Sequence, residues 1–90
     1  MNELETKLIE EIRKTKNLFA EGIEFNDETN LVTDLNFNSI DFMQLVVNIE
    51  QRFEIAFDMD VYLESEDINL YRSVRDYLKK ALSEKESVVA

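Results

Sequence analysis

Ser39 is the residue of this 90-residue chain best placed to do chemistry. A serine hydroxyl becomes a nucleophile when a base stands beside it, most often a histidine. The chain contains no histidine and no cysteine, and its lysines occur only towards the two ends. Self-contained serine–histidine, thiol and imidazole mechanisms are therefore excluded, as are zinc sites built on those ligands. What distinguishes Ser39 is its position. It follows Asp34-Leu35-Asn36-Phe37-Asn38 and precedes an apolar run with helical spacing, so it stands where a helix begins. A serine there commonly caps the helix with its side-chain oxygen. The same place also suits a phosphodiester. Free first-turn N–H groups and the positive end of the helix dipole face it, an effect of about 0.3–1 kcal/mol at an exposed site.

Two other constellations lead nowhere. Asp34-x-Asn36-x-Asn38 has the spacing of the first three ligands of an EF-hand loop. Such a loop needs glycine at its sixth position and a bidentate glutamate at its twelfth, where this chain has Ser39 and Leu45. Asp41 also occupies the normally apolar eighth position. Weak, non-specific cation binding is the expectation, and no metal site. Glu66 and Asp67 are adjacent carboxylates that read as a solvated face and not as a catalytic pair.

The elements that must position Ser39 follow from periodicity. Leu4, Leu8, Ile9, Ile12 and Phe19 recur at helical spacing, with Asn2 and Glu5 as a capping box, predicting a first helix that ends near Ala20-Glu21-Gly22. A polar loop anchored by Ile23, Phe25, Leu31, Val32 and Leu35 comes next. A second helix is predicted from Ser39 to about Phe53. Phe57-Asp58-Met59-Asp60 reads as loop, with a short helical turn somewhere in 61–69. Ser73 is the predicted cap of a last helix whose apolar face is Val74, Tyr77, Leu78, Ala81 and Leu82. Residues 87–90 are expected to be a disordered tail after a single domain, 1–86. Proline is absent and Gly22 is the only glycine, so helices joined by polar loops are favoured over hairpins. The predicted fold is all-α, a small three- to four-helix bundle with a long loop between helices one and two.

The second helix carries more apolar surface than one core face needs. Phe42, Leu45, Val46, Ile49 and Phe53 make that face, and Asp41, Gln44, Asn48, Gln51 and Arg52 make a polar band. Ile40, Met43 and Val47 belong to neither. Burying an aliphatic side chain is worth about 1.5–3 kcal/mol, so leaving this second stripe uncovered forgoes several kcal/mol in a small domain. Either another helix covers it or partners dock there. Wheel geometry alone slightly favours coverage.

Charge is distributed unevenly. Residues 21–70 hold thirteen acidic residues and one basic, Arg52, while 1–20 are neutral and 71–90 are net positive. The overall charge is −10. Nucleic acid is thus excluded as a partner and basic protein surfaces are favoured. No apolar run is long enough to span a bilayer, and the first residues lack a signal pattern, so no membrane association is expected and a cytoplasmic location is.

At this point the chain resembles a known family. The run Leu31-Val32-Thr33-Asp34-Leu35-Asn36-Phe37-Asn38-Ser39-Ile40-Asp41 and its continuation to Arg52-Phe53-Glu54-Ile55 are similar to the acyl and peptidyl carrier proteins. Their signature is Asp-Leu-Gly-x-Asp-Ser-Leu-Asp opening a helix that ends in Leu-Glu-x-x-Phe-x-Ile. The likeness is strong over about 25 residues and looser through Ser73-Val74. It implies a bundle of the acyl-carrier type, a non-catalytic protein, and a 4'-phosphopantetheine arm transferred from coenzyme A to Ser39, with Asn38 and Ile40 flanking it. The arm's thiol would hold acyl, aminoacyl or peptidyl groups as thioesters, so a chain without cysteine would borrow its thiol from a cofactor. The resemblance also makes Asp41, Met43, Gln44, Val47 and Glu50 partner contacts and turns the second stripe into a docking surface. Implied partners are a phosphopantetheinyl transferase, an acyl- or aminoacyl-loading enzyme, and synthase, transferase or thioesterase enzymes with basic patches, each meeting a monomeric carrier.

Several positions depart from the pattern. Asn38 stands where the family usually has aspartate. Asn36 replaces a glycine, although asparagine tolerates positive φ better than most residues. Gln44 occupies a frequent glutamate position, and Phe42 is bulkier than usual, which would narrow a chain pocket. The segment between helix two and the last helix is longer. These features suggest a specialised carrier for a dedicated lipid, polyketide or nonribosomal-peptide pathway. The alternative is an unmodified acidic helical interaction module in which Ser39 merely caps.

Overall fold

The computed structural model describes residues 2–18 and 22–88, with side chains up to 85. The Asn2 side chain accepts the Glu5 N–H at 2.9 Å and starts α1, Glu3–Lys16. Only half of the predicted capping box forms, because the Glu5 carboxylate turns to the Tyr71 hydroxyl at 3.0 Å. The helix also stops earlier than its apolar spacing suggested. Asn17 adopts the left-handed conformation (φ 55°), and its N–H closes back on the carbonyls of Arg13 and Lys14. Asparagine accepts that conformation at low cost. Leu18 then drops into the core. Phe19, Ala20 and Glu21, which the sequence placed at the helix end, lie outside the described residues.

The long connection to α2 (Ser39–Phe53) is held by its own side chains and by the far end of the chain. Asn30 Oδ1 accepts the N–H groups of Val32 and Thr33, and Asp34 accepts the N–H of Asn30. Leu31 N–H donates to the Asn69 carbonyl at 2.7 Å, and Tyr71 N–H donates to the Thr29 carbonyl at 2.8 Å. An isolated bridge pairs Asn30 with Leu70. Leu31, Leu35 and Phe37 are buried, but Val32, expected as an anchor, is exposed.

The short helix α3, Met59–Tyr62, begins two residues before the predicted turn because Asp58 accepts the Val61 N–H and caps it. The last helix α4, Tyr71–Val88, likewise begins before Ser73. The Thr29 carbonyl satisfies its first N–H, so no capping side chain is needed, and Ser73 lies inside the first turn. The backbone of α4 includes residues 87 and 88 of the expected tail; 89 and 90 lie outside the described residues. Among the described residues the result is an all-α bundle of four helices with a long loop between the first two.

Packing decides which face of α2 remains open. Leu45, Val46 and Ile49 are buried with Leu8 and Ile12 of α1 and with Val74 and Leu78 of α4. Against the polar band of α2, α1 sets a polar seam. Arg52 pairs with Glu10 at 3.0 Å and with the buried Glu11 at 2.9 Å, while Asn48 donates to Thr15 and accepts from Gln44, both at 3.0 Å. Asn48 is thereby buried within the band that the wheel made polar. Among the described residues no helix covers the second stripe. Ile40, Met43 and Val47 are 78%, 52% and 41% exposed.

These neighbours on one helix separate a core position from an open one. Leu45→Ala should cost about 2–5 kcal/mol of unfolding free energy, and Val47→Ala should change it by no more than about 0.5 kcal/mol. Urea denaturation followed by circular dichroism checks both.

Candidate functional site

Ser39 is the first helical residue of α2 and not its cap. Asn38 takes the cap position in extended conformation (φ −103°, ψ −177°). Its side chain accepts the Asp41 N–H at 2.8 Å, and the Asp41 carboxylate accepts the Asn38 N–H at 3.0 Å. This reciprocal capping box satisfies the start of the helix by itself. The capping role that the residue type suggested for Ser39 therefore belongs to its neighbour. The Ser39 hydroxyl is exposed and makes no hydrogen bond among the described residues. As first-turn positions, Ser39 and Ile40 have N–H groups with no intrahelical partner.

The approach to the cap is braced from α1. Asn36 adopts φ 58°, the conformation that a glycine would otherwise supply. Lys16 donates to the Asn36 carbonyl at 2.8 Å and pairs with Asp41 at 3.2 Å. The hydrogen bond from the Asn38 backbone, seconded by Lys16, holds the Asp41 carboxyl below the usual carboxylate range. Asp34 and Asn38, the candidate cation ligands, both accept backbone N–H groups in this turn.

Beside the hydroxyl runs an apolar groove of about 430 Å³. The loop contributes Val32 and Phe37, α2 contributes Phe42 and Met43, and Tyr62 and Leu63 close the other wall. Aromatic rings form its floor. Phe42 stacks on Tyr62 with centroids 5.7 Å apart, and Tyr62 meets Phe57 at 5.4 Å and Tyr77 at 5.6 Å. Tyr62 is fully buried and donates to the Ile68 carbonyl at 2.6 Å; burial pushes its phenol well above the usual range. Another hollow of similar size, about 460 Å³, lies between Glu54, Tyr77, Lys80 and Lys85 at the far end of α2, away from Ser39.

The positions singled out by sequence separate in space. Ser39, Asn38 and Met43 line the groove, and Ile40, Met43, Gln44 and Val47 are exposed. Asp41 and Glu50 are half-buried, and each engages the backbone through one carboxylate oxygen, Asp41 with the Asn38 N–H and Glu50 with the Phe57 N–H at 2.9 Å. Sequence reasoning missed Lys16, Val32, Tyr62 and Leu63. The last two lay in a segment with weak periodicity, and nothing local marks Lys16 as a partner of residues twenty or more positions away.

A serine at a helix start, exposed, freed from capping and beside an apolar groove, fits the attachment of a flexible prosthetic arm. The family described as the phosphopantetheine attachment site matches residues 6–70, from α1 to the segment before α4. The acyl carrier protein of Amoebophilus asiaticus (strain 5a2) is 32% identical over 85 residues, covering 94% of this chain and 100% of that protein. No solved structure gives a significant match. The chain belongs to the phosphopantetheine-attachment family that includes the acyl carrier proteins, and its cofactor is a covalently attached 4'-phosphopantetheine.

Proposed function

We propose that Ser39 Oγ is the atom that receives the arm, and that the chain carries acyl or related groups between enzymes of a dedicated pathway. The observation that supports this most directly is the division of labour at the start of α2: Asn38 and Asp41 cap the helix, leaving the neighbouring hydroxyl exposed and unbonded. The carboxylate of Asp41 is spent on Asn38 and Lys16, and the chain has no histidine. The Ser39 proton must therefore pass to a base of the transferase. When attached, the arm supplies the thiol that the protein lacks. The chain's own residues would orient it: the first-turn N–H groups of Ser39 and Ile40 would be available to its phosphate, and the groove would offer apolar shelter to what the thiol bears.

The groove also bears on the cargo. Phe42 and Tyr62 stack across its floor, and Phe57 and Tyr77 fill the space behind them. A long alkyl chain could reach the interior only by displacing packed rings. A short acyl, aminoacyl or peptidyl group resting in the groove is the better fit, and a specialised pathway the better context.

Incubation with coenzyme A and a broad-specificity phosphopantetheinyl transferase should add one phosphopantetheine by intact mass, and Ser39→Ala should add none. Because Ser39 is not the cap, the substitution should alter stability by no more than about 0.5 kcal/mol. A mass gain that persists in Ser39→Ala, or none in the wild type with several transferases, would refute the assignment. The cargo reading is checked by the melting temperature of acylated forms. Each methylene buried contributes about 0.8 kcal/mol, and 1 kcal/mol corresponds to about 4–8 °C in a domain of this size. Lengthening the attached group from butyryl to dodecanoyl should leave the wild-type melting temperature within about 4 °C, and should raise it clearly in Phe42→Leu.

A further inference from the structure

Three bases crowd the last turn of α1, and their contacts diverge. Arg13 donates to the carbonyls of Leu18 and Ile23, and Lys14 pairs with Glu11 at 3.6 Å. Lys16, the last residue of the helix, reaches across to the turn before α2. Its ammonium holds the Asn36 carbonyl at 2.8 Å and Asp41 Oδ2 at 3.2 Å, so that Asn38 and Ser39 lie between its two acceptors in the chain. Asp41 uses the same oxygen to accept the Asn38 N–H. The contact is largely sheltered from water, the Lys16 and Asp41 side chains being 27% and 21% exposed.

The other hydrogen bonds of this turn stay within the loop and α2. The peptide after Asn36 gives its carbonyl to Lys16 and its N–H, that of Phe37, to the Leu31 carbonyl at 2.9 Å. The Asn38 carbonyl accepts the Phe42 N–H at 3.0 Å. Among the described residues no other hydrogen bond or ion pair reaches residues 36–41 from another helix. Asn36 is kept at φ 58°, a conformation that costs free energy for a residue with a side chain, and the grip on its carbonyl offsets that cost.

We propose that Lys16 is a positioning residue for the esterification of Ser39, fixing from α1 the turn that presents the hydroxyl. This rests on the carrier reading above. In that step Ser39 Oγ bonds to the pantetheine-side phosphorus of coenzyme A, the pyrophosphate linkage breaks, adenosine bisphosphate leaves, and the serine proton passes to a base of the transferase. Lys16 acts through Asn36 and Asp41. A nucleophile whose support has loosened spends less time aligned for in-line attack, so the loss falls on kcat.

Transfer from saturating coenzyme A by a broad-specificity phosphopantetheinyl transferase, followed by intact mass, gives kcat and KM for the apo-carrier. The Asp41 carboxyl carbon is titrated by NMR in parallel. Lys16→Met keeps the stem and loses the ammonium; it should lower kcat about tenfold with KM within about twofold. It should also move the Asp41 titration up towards the usual carboxylate range, which the Asn38 N–H and Lys16 now hold it below. Lys16→Arg, which retains donors for both acceptors, should bring kcat back to within about threefold of wild type. Lys14→Met removes the same charge from the same turn of α1 and should leave the kinetics and the titration as they are. Should Lys16→Met fail to fold, Lys16→Gln, which can still donate to the Asn36 carbonyl, carries the comparison with a smaller loss of kcat. The proposal is overturned if the Lys16 variant keeps its kcat, whatever becomes of KM or the melting temperature. It is equally overturned if Lys14→Met slows transfer as much, or if the Asp41 titration is the same with and without the ammonium. A wild type that gains no mass with any transferase would instead overturn the carrier reading, and this proposal with it.

Discussion

The pair of hydrogen bonds between Asn38 and Asp41 decides what the rest of this molecule can do. A helix start leaves N–H groups in need of acceptors, and a serine placed there would ordinarily supply one. Here the residue before the serine and the residue two beyond it satisfy each other at 2.8 and 3.0 Å. Lys16 holds the assembly from α1 by gripping both the Asn36 carbonyl and the Asp41 carboxylate. The serine oxygen is left with no structural duty. The hydroxyl proposed to receive the arm is thus free of any capping duty, and asparagine in place of aspartate before Ser39 keeps the capping geometry while removing a charge.

A second constraint is the polarity of α1. Two faces of α2 competed for cover, one polar and one apolar, and covering the apolar stripe would have seemed the better use of a helix. Glu11, Thr15 and Arg52 with Asn48 show the opposite choice. The seam contains no buried side-chain polar atom without a partner among the described residues, so its hydrogen bonds offset the desolvation of the groups it buries. The aliphatic stripe stays in water as a consequence. The stability forgone there is the cost of setting α1 against the polar band.

How much was legible in the sequence follows from where each signal resides. The limits of α2 were readable because its apolar spacing is unbroken from Ile40 to Phe53 and the residues before it form a recognisable turn. The positive φ of Asn36 was readable from residue type alone. The end of α1 was not, since the pattern continued to Phe19 while Asn17 diverted the backbone. The start of α4 was hidden because its first N–H is satisfied by Thr29, more than forty residues earlier in the chain. The same limit applied at the site. Periodicity could list the residues of α2 by face, but only the packing of α1 could say which face would be left, and only the folded loops show Asp41 meeting Asn38 and Lys16 and Glu50 meeting the Phe57 N–H.

The contact between the long loop and the segment before α4 sets the geometry of the groove. Leu31 N–H to Asn69 carbonyl and Tyr71 N–H to Thr29 carbonyl join two stretches that bring Val32 and Phe37 to one wall and Leu63 to the other. Both links are main chain to main chain, so substitution of the lining side chains leaves them intact. The spacing of the walls is accordingly a property of the backbone, while the chemistry of the walls is free to vary. Such an arrangement lets the lining of the groove be exchanged side chain by side chain with the aperture itself unchanged.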